Sequence, residues 1–305
     1  MRTLVTGVSG YVGAELADRL RADGHDVRGF ARDAGRVRVA VDELVVGDVI
    51  TGAGLDAALD GVDVAYYLIH SMEGPDGAFA EVERASARRF AAAAERVGLR
   101  RVVYLGGLVP GDAPLSRHLG SRLAVEHALL AAVPEGIALR ASIVIGARSR
   151  SFRFLVRLIE RLPVLALPAW RSNRTAPIDG RDVLAFLASA ATAPADVAGR
   201  SWDVGGPDVM SYAEMIARIA DALMVRRPAL ELGVTMTPVA SVVAAAVAGE
   251  DPALIGPLME SLEHDLLPDD GAAAAAAFGV RLHRFDAAVE RALREWERHE
   301  RLAAR

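Results

Sequence analysis

A histidine and an arginine one helical turn apart are the first candidates for chemistry. In the stretch SRHLGSRLAVEHALL, whose pattern is that of a helix, His118 and Arg122 fall on the same face. An imidazole can carry a proton near neutral pH and act as a general acid, while a guanidinium stabilises an anion but keeps its proton. The alternatives are a polar residue near a helix start for His118 and a solvent-facing ion pair with Glu126 for Arg122.

Three glycines near the start of the chain follow the pattern G-x-x-G-x-x-G. Gly7, Gly10 and Gly13 lie in TGVSGYVG, directly after an apolar strand and at the mouth of a helix. Glycine permits a tight turn and lets backbone N–H groups approach a pyrophosphate, whose charge the helix N-terminus favours. Strand, turn and helix occur in the order that a dinucleotide site requires, so this segment, with Ser9 and Tyr11, is predicted to bind the cofactor.

Alternating strands and helices must position these residues. Up to about residue 145, short β-branched runs alternate with helical patterns, which is typical of a parallel sheet built from βαβ units. The predicted fold class is α/β: a Rossmann-type doubly wound parallel sheet with a smaller, mostly helical C-terminal substrate lobe. Residues 1–146 would bind NAD(P), and residues 147–305 would cover the substrate, with some segments returning to the sheet. The candidate strands are TLVT, DVRGFA, ELVVG, VDVAYYLI, RVVYLG and IALRASIVIG.

Residues just after each strand are further candidates, because such sheets bind ligands beyond the carboxyl ends of their strands. Asp48 and Val49 follow the third strand and would flank an adenine. Ile69 and His70, at the end of the fourth strand, and Gly106, at the end of the fifth, would lie along the ribose and nicotinamide. Together with His118 and Arg122, His70 is a catalytic candidate.

The end of the second strand bears on the choice between NADP and NAD. A site for NAD normally offers a carboxylate to the ribose 2′-hydroxyl, but GFARDAG offers Ala31 and then Arg32. A guanidinium there would hold a 2′-phosphate instead. Asp33 could serve NAD if the strand were one or two residues longer, and would otherwise cap a short helix. NADPH is therefore the predicted cofactor, with NAD as the alternative.

Candidates for a substrate pocket come from both halves of the chain. After the predicted sheet, Trp170 and Arg174 lie in a segment rich in proline and tryptophan that would close over the nicotinamide. Trp170 could stack on a flat aromatic substrate or be a buried structural tryptophan. Tyr67 and Ser71, near the end of the fourth strand, would line the same space. Since Tyr66 and Tyr67 point to opposite faces of their strand, at least one of them must pack in the core.

Composition and charge exclude several other classes of protein. The 305 residues carry a net charge of −5, without a long basic run, so no nucleic acid is expected as a partner. The absence of cysteine excludes disulfides, and the seven histidines are scattered, so no metal site is expected. The expected partner is a small-molecule substrate.

Three segments bear on location and assembly. The apolar run from Gly233 to Gly249 contains Pro238 and is predicted to be a packed helix, with no membrane contact. The first strand begins within three residues of Met1, which leaves no room for a signal peptide, so a cytoplasmic protein is expected. The terminal FDAAVERALREWERHERLAAR is an amphipathic helix that would pack on the protein itself or on a second copy, which would give a homodimer.

Taken together, these segments resemble the atypical short-chain dehydrogenase/reductases, in particular the NAD(P)H-binding proteins grouped with the NmrA-like regulators. The similarity extends over nearly the whole chain, and it rests on TGVSGYVG, AYYLIHSM, RVVYLGGLVP, RHLGSRLAVE, LRASIVIGARS and RTAPIDGRDV. The first block is shared by many Rossmann proteins, whereas YYLIHSM together with HLGSR is more selective. The resemblance implies a dinucleotide-dependent reductase, or a regulator that binds the same cofactor.

The chain departs from that family in its proton chemistry. Standard members use a serine or threonine after the fifth strand, then a tyrosine and, four residues on, a lysine that lowers the tyrosine's pKa and holds the nicotinamide ribose. At those positions this sequence has Gly106 and Gly107, then His118, then Arg122. Because the chain contains no lysine, the usual pair cannot have moved elsewhere.

Three functions are compatible with these features. An NADPH-dependent reductase of a flat conjugated carbonyl or quinone-like small molecule could lack the Ser-Tyr-Lys machinery, because hydride addition there gives a delocalised anion. A non-catalytic NAD(P)H-binding redox-sensing or regulatory protein would not need it, and an isomerase or coupling enzyme could keep NADP as a bound prosthetic group. The apolar and aromatic segment 152–177 indicates a substrate cavity and favours the reductase.

Overall fold

Seven parallel strands form the central sheet of the protein. The computed structural model describes residues 1–69, 79–111, 115–231, 259 and 261–302. Six strands have the doubly wound order 3-2-1-4-5-6, and a strand from the second half of the chain joins the sixth. The expected Rossmann-type fold is thereby confirmed. The strands of this sheet are β1 (Arg2–Thr6), β2 (Asp26–Ala31), β3 (Glu43–Val46), β4 (Val64–Tyr67), β5 (Arg101–Gly107), β6 (Glu135–Ala141) and β11 (Arg200–Val204).

Apolar side chains alternate between the two faces of the sheet, and helices cover both faces. In β1, Leu4 packs on one face and Val5 on the other, as the period of a strand requires. The described helices are α1 (Tyr11–Ala22), α2 (Leu55–Leu59), α3 (Phe79–Arg96), α4 (Arg117–Ala132), α5 (Arg150–Arg161), α6 (Gly180–Ala190), α7 (Tyr212–Ala222), α8 (Gly271–Ala277) and α9 (Phe285–Glu297). Helices α1 and α6 pack together on the face of Val5, while α2, α3 and α4 lie on the face of Leu4.

The second half of the chain builds another apolar core beside the sheet. Phe152 of α5, Trp170, Tyr212 of α7 and Trp296 of α9 are all part of it. Short strand pairs frame this core: β7 (Val144–Ile145) with β10 (Ile178–Asp179), β8 (Leu165–Leu167) with β13 (Ala229–Glu231), and β9 (Arg174–Thr175) with β12 (Met210–Ser211). Because β11 and α6 pack with the central sheet, residues after 146 contribute to both cores.

The predicted strand IALRASIVIG is two strands in the structure. Strand β6 stays paired with β5 as far as Ala141, which lies opposite Gly107 at the end of β5. Past that point β5 offers no further backbone partner, and the chain turns to pair as β7 with β10. The turn carries the chain from the sheet towards the second core.

The remaining helical predictions divide into two that are confirmed and one that lies outside the described residues. The sequence SYAE, at residues 211–214, has the S-x-x-E pattern of a capping box and predicts a helix start; the Ser211 hydroxyl accepts a hydrogen bond from the Glu214 N–H at 3.1 Å and caps α7. The terminal segment forms the amphipathic α9, whose buried face includes Phe285 and Trp296. The apolar run 233–249 falls outside the described residues; no helix among those described is long and apolar enough to cross a membrane.

At the edge of the sheet where the strands begin, two buried arginines donate hydrogen bonds to carbonyl groups at the C-terminal ends of helices. Arg101, the first residue of β5, is 4% exposed and bonds to Glu135. Carbonyl groups at a helix C-terminus have no partner within the helix, so a guanidinium there replaces the missing donors. Arg101 donates at 2.7–2.9 Å to the carbonyls of Ala190, Ala191 and Ala193, at and just after the end of α6. Arg28 of β2 likewise donates to the carbonyls of Ala57, Ala58 and Asp60 at the end of α2.

Replacing Arg101 with methionine is expected to lower the free energy of unfolding by about 2–4 kcal/mol, because buried carbonyls and Glu135 lose a charged partner. The matched control is Arg100→Met. Arg100 reaches the same carboxylate at 3.6 Å, but its side chain is 63% exposed, so a loss below about 0.5 kcal/mol is expected. Urea unfolding measures both, and equal losses would contradict the role assigned to Arg101.

Candidate functional site

A cavity of about 770 Å³ runs along the carboxyl ends of the strands of the central sheet. It begins at the glycine turn after β1, passes the ends of β2, β3, β4 and β5, and ends among side chains of the second core. Its size is typical of a site for a cofactor or a small molecule, and its position is where doubly wound sheets bind ligands. The cavity therefore joins the two cores of the protein.

The glycine turn after β1 brings the start of α1 very close to the strand end. A Cβ atom at Gly13 would lie 2.3 Å from the Gly7 carbonyl oxygen, and one at Gly7, whose φ is +67°, would lie 2.9 Å from the Leu68 carbonyl oxygen. Gly10, the N-cap of α1, has no side chain to cap the helix, and the first turn contains no acidic residue. The first N–H groups of α1 are thus available to an anion, and the turn fits a dinucleotide pyrophosphate.

The end of β2 carries two arginines on the cavity wall. Arg32 follows the last residue of β2, as expected, and Arg36 lines the same end of the cavity. Among the described residues neither forms an ion pair. Asp33 caps a short helical turn by accepting a hydrogen bond from the Gly35 N–H at 2.8 Å, so its carboxylate is engaged locally. Arg36 was missed by the sequence analysis, because only that turn brings it beside Arg32.

The residues predicted to follow β3 and β4 also line the cavity where they are described. Asp48 and Val49 lie on the wall, and the Asp48 carboxylate accepts a hydrogen bond from the Ile50 N–H at 2.8 Å, which fixes that loop. Ile69 lines the cavity past β4. His70 and Ser71 lie outside the described residues.

His118 and Arg122 line the cavity together, beside Gly106 at the end of β5. Ser116 is the N-cap of α4, so His118 lies in the first turn of that helix. Arg122 is only 7% exposed, and its guanidinium donates a hydrogen bond to the Leu105 carbonyl oxygen. The alternative of a solvent-facing ion pair between Arg122 and Glu126 is therefore wrong: Glu126 is only 2% exposed, and its carboxylate bonds to Arg140 at 2.7 Å.

The surroundings of His118 lower its pKa and change its expected protonation state. Burial and, after it, the positive charge of Arg122 lower the pKa of His118 to about 4. The imidazole is thus neutral at pH 7, and the expectation that it carries a proton near neutral pH is wrong. It can still donate one N–H hydrogen bond.

The far end of the cavity is apolar and contains one of the two substrate residues predicted downstream. Trp170 lines it, packed edge to face on Tyr212 with ring centroids 5.9 Å apart, among Phe154, Met215 and Ile216. Tyr212 was missed by the sequence analysis, because its place depends on how α7 packs against Trp170. The cavity end offers an apolar surface suited to a flat, weakly polar ligand.

Two predicted substrate residues lie elsewhere. Tyr67, 1% exposed, points to the face of the sheet covered by α3 and α4, where it packs on Phe90 at 5.0 Å between ring centroids. Arg174 lies at the surface in an ion pair with Asp265 at 2.8 Å. Neither lines the cavity. Tyr67 is turned away because it holds the core-facing position of β4, as Tyr66 does on the opposite face.

No tyrosine is placed to act as the standard acid. All five tyrosines belong to the described residues; Tyr66, Tyr67 and Tyr104 are buried in the core, while Tyr11 and Tyr212 line the cavity. Burial raises the pKa of Tyr11 to about 12 and also raises the pKa of Tyr212. Both phenols keep their protons, and the sequence has no lysine to activate either of them. The described residues also contain no cluster of side chains that could hold a metal ion.

Comparisons with known proteins agree with this arrangement. A family described as NAD(P)H-binding matches residues 7–133. A (4-alkanoyl-5-oxo-2,5-dihydrofuran-3-yl)methyl phosphate reductase of Streptomyces griseus is 31% identical over 229 residues, which cover 72% of this chain and 73% of that protein. A ceramide reductase of Caulobacter vibrioides is 28% identical over 208 residues, covering 62% and 61% of the two chains, somewhat less than two thirds of each.

Solved structures show the same fold over almost the whole chain. The crystal structure of gox2253 has a TM-score of 0.73 at 21% identity and covers 97% of each chain. MoeE5 in complex with UDP-glucose and NAD has a TM-score of 0.72 at 19% identity, with 98% of this chain and 99% of that one covered. The glycine turn, the cavity at the strand ends and the relative from Streptomyces lead to one conclusion: the chain belongs to the NAD(P)H-binding atypical short-chain dehydrogenase/reductase family.

Proposed function

We propose that the protein is an NADPH-dependent reductase of a flat conjugated carbonyl or quinone-like small molecule, and that it works without the Ser-Tyr-Lys machinery. The observation that carries the proposal is a single cavity that joins the glycine turn to an apolar chamber, with His118 and Arg122 on its wall at the end of β5. A protein that only binds a dinucleotide has no need of the chamber. The names of the two relatives, both reductases, support this class of reaction.

The cofactor is assigned to the part of the cavity between the glycine turn and β5. Backbone N–H groups at the start of α1 would bind the pyrophosphate. Arg32 and Arg36 would bind a ribose 2′-phosphate, which favours NADPH over NAD. Arg122 would hold the nicotinamide ribose. The other residues assigned to the cofactor are Ser9, Tyr11, Asp48, Val49, Ile69 and Gly106, all on the cavity wall.

The chain's own contribution to the reaction is to stabilise negative charge. A reduced nicotinamide supplies a hydride, and in a conjugated acceptor the added electron pair appears as charge on the carbonyl oxygen. Arg122 offers a fixed cation and His118 a neutral N–H donor for that oxygen, and such preorganised groups are effective where water is excluded. Because burial makes both cavity tyrosines weaker acids and leaves His118 neutral, the final proton would come from water.

A redox-sensing or regulatory protein is the second candidate, favoured by the neutral state of His118. Without a proton donor of matched pKa, a simple ketone would be reduced slowly, because its alkoxide is not delocalised. The two functions differ in one respect that is easily measured: only a reductase consumes NADPH in the presence of an acceptor.

Turnover of NADPH is expected with quinones and conjugated enones, and little or none with simple ketones. His118→Leu, which removes the N–H donor, should lower kcat about ten- to a hundredfold, whereas His118→Gln, which keeps a donor, should retain most of the activity. The decay of NADPH absorbance measures both. Tight NADPH binding without turnover on any acceptor would favour the regulatory protein instead.

Arg32→Ala and Arg36→Ala are each expected to weaken NADPH binding about tenfold or more, while leaving NADH binding nearly unchanged, because only NADPH has a 2′-phosphate. Arg38→Ala is the matched control, since Arg38 is exposed but does not line the cavity. Fluorescence titration with each cofactor gives the dissociation constants. An equal loss for NADPH and NADH would contradict the assignment to the phosphate.

The imidazole signals of His118 in an NMR titration are expected to shift with a midpoint near 4, well below the value of about 6.5 for a free histidine. The unfolded chain takes up this proton at a higher pH than the folded chain. The free energy of unfolding should therefore also fall as the pH drops from about 6.5 to about 4. The signal is assigned by its absence in His118→Gln. A midpoint above about 6 would restore His118 as a general acid.

A further inference from the structure

A carboxylate of α3 lies next to Arg122, which lines the cavity. Glu83 is 4% exposed, and its Oε1 lies 3.9 Å from a terminal nitrogen of the Arg122 guanidinium. Its other oxygen, Oε2, accepts a hydrogen bond of 2.5 Å from the Ser121 hydroxyl. Two consecutive residues of α4 therefore meet one carboxylate of α3, within the contact between those two helices.

The Arg122 side chain is held on two further sides. Its guanidinium donates to the Leu105 carbonyl oxygen near the end of β5, and lies 5.1 Å from the centroid of the Tyr104 ring. The Tyr104 hydroxyl in turn donates to the Arg122 carbonyl oxygen at 3.2 Å. A strand end, an aromatic ring and a carboxylate thus surround one guanidinium at the cavity wall.

The charge of Arg122 needs a counter-ion because a buried, unpaired ion is strongly unfavourable. Glu126, one turn further along α4, does not serve, because it bonds to Arg140 at 2.7 Å and to the Ser201 hydroxyl at 2.6 Å. Among the described residues, the carboxylate within ion-pair distance of Arg122 is that of Glu83. Its position between Ser121 and Arg122 fixes where the cation can lie.

We propose that Glu83 is a positioning residue, which holds the Arg122 guanidinium against the end of β5 so that its charge faces the reacting part of the cavity. The proposal rests on the role proposed above for Arg122. An arginine at this place differs from a lysine because its planar group requires several acceptors in fixed directions. The Leu105 carbonyl supplies an acceptor for the guanidinium, and Glu83 supplies a negative charge at ion-pair distance on another side of it.

The test is a double-mutant cycle on NADPH turnover with a quinone acceptor. Glu83→Gln should lower kcat about tenfold or more through misplacement of Arg122. In an Arg122→Met background the same substitution should cause no further loss, since there is no guanidinium left to position. Glu81→Gln, an exposed glutamate on the same helix, is the matched control and should leave kcat unchanged. The proposal would be overturned if Glu83→Gln lowered kcat by the same factor in both backgrounds, or if it left kcat unchanged.

A second measurement does not depend on turnover or on the folding of Arg122→Met. The guanidinium N–H signals of Arg122 in an NMR spectrum should be resolved and protected from exchange in the wild type and in Glu81→Gln, but broadened in Glu83→Gln. Unchanged signals in Glu83→Gln would overturn the positioning role. If no acceptor were reduced but the signals changed as expected, the reductase proposal would fail while the role of Glu83 would stand.

Discussion

The close approach of α1 to the end of β1 is the constraint on which the rest of the site depends. Only glycine fits at position 13, because a Cβ atom on Gly13 would overlap the Gly7 carbonyl group. This approach directs the N–H groups of α1 at the cavity, and the parallel strands place the loops after β2, β3 and β4 at the same edge of the sheet. Every residue assigned to the cofactor is placed with reference to that turn.

The fold and the cofactor end of the site could be predicted from the sequence because both depend on local patterns. Alternating strands and helices define the doubly wound sheet, and the glycine spacing defines the turn. The sequence could not decide which of Arg32 and Asp33 faces the cofactor, since their roles depend on where β2 ends. The structure engages Asp33 in a backbone turn and leaves Arg32 on the cavity wall.

The residues that sequence analysis misplaced or missed depend on packing between distant segments. Tyr67 was expected at the site because of its distance from a strand end, but the face to which it points is set by the core beneath α3. The protonation of His118 depends on burial and on Arg122, neither of which a sequence displays. Glu83 and Tyr212 carry no motif at all: the packing of α3 places Glu83 next to Arg122, and the packing of α7 places Tyr212 on the cavity wall.

The addition of β11 to the sheet has a consequence for how the chain is made. Strand β6 pairs with β5 on one side, but its other edge is completed only by Arg200–Val204. The carbonyl partners of Arg101 also lie in the second half of the chain, at and just after the end of α6. During synthesis on the ribosome, the first half of the chain therefore has an open edge at β6, and Arg101 has Glu135 but not its carbonyl partners, until residues up to Val204 have been made. Because residues from both halves of the chain build the cavity, neither half completes its fold until late in synthesis.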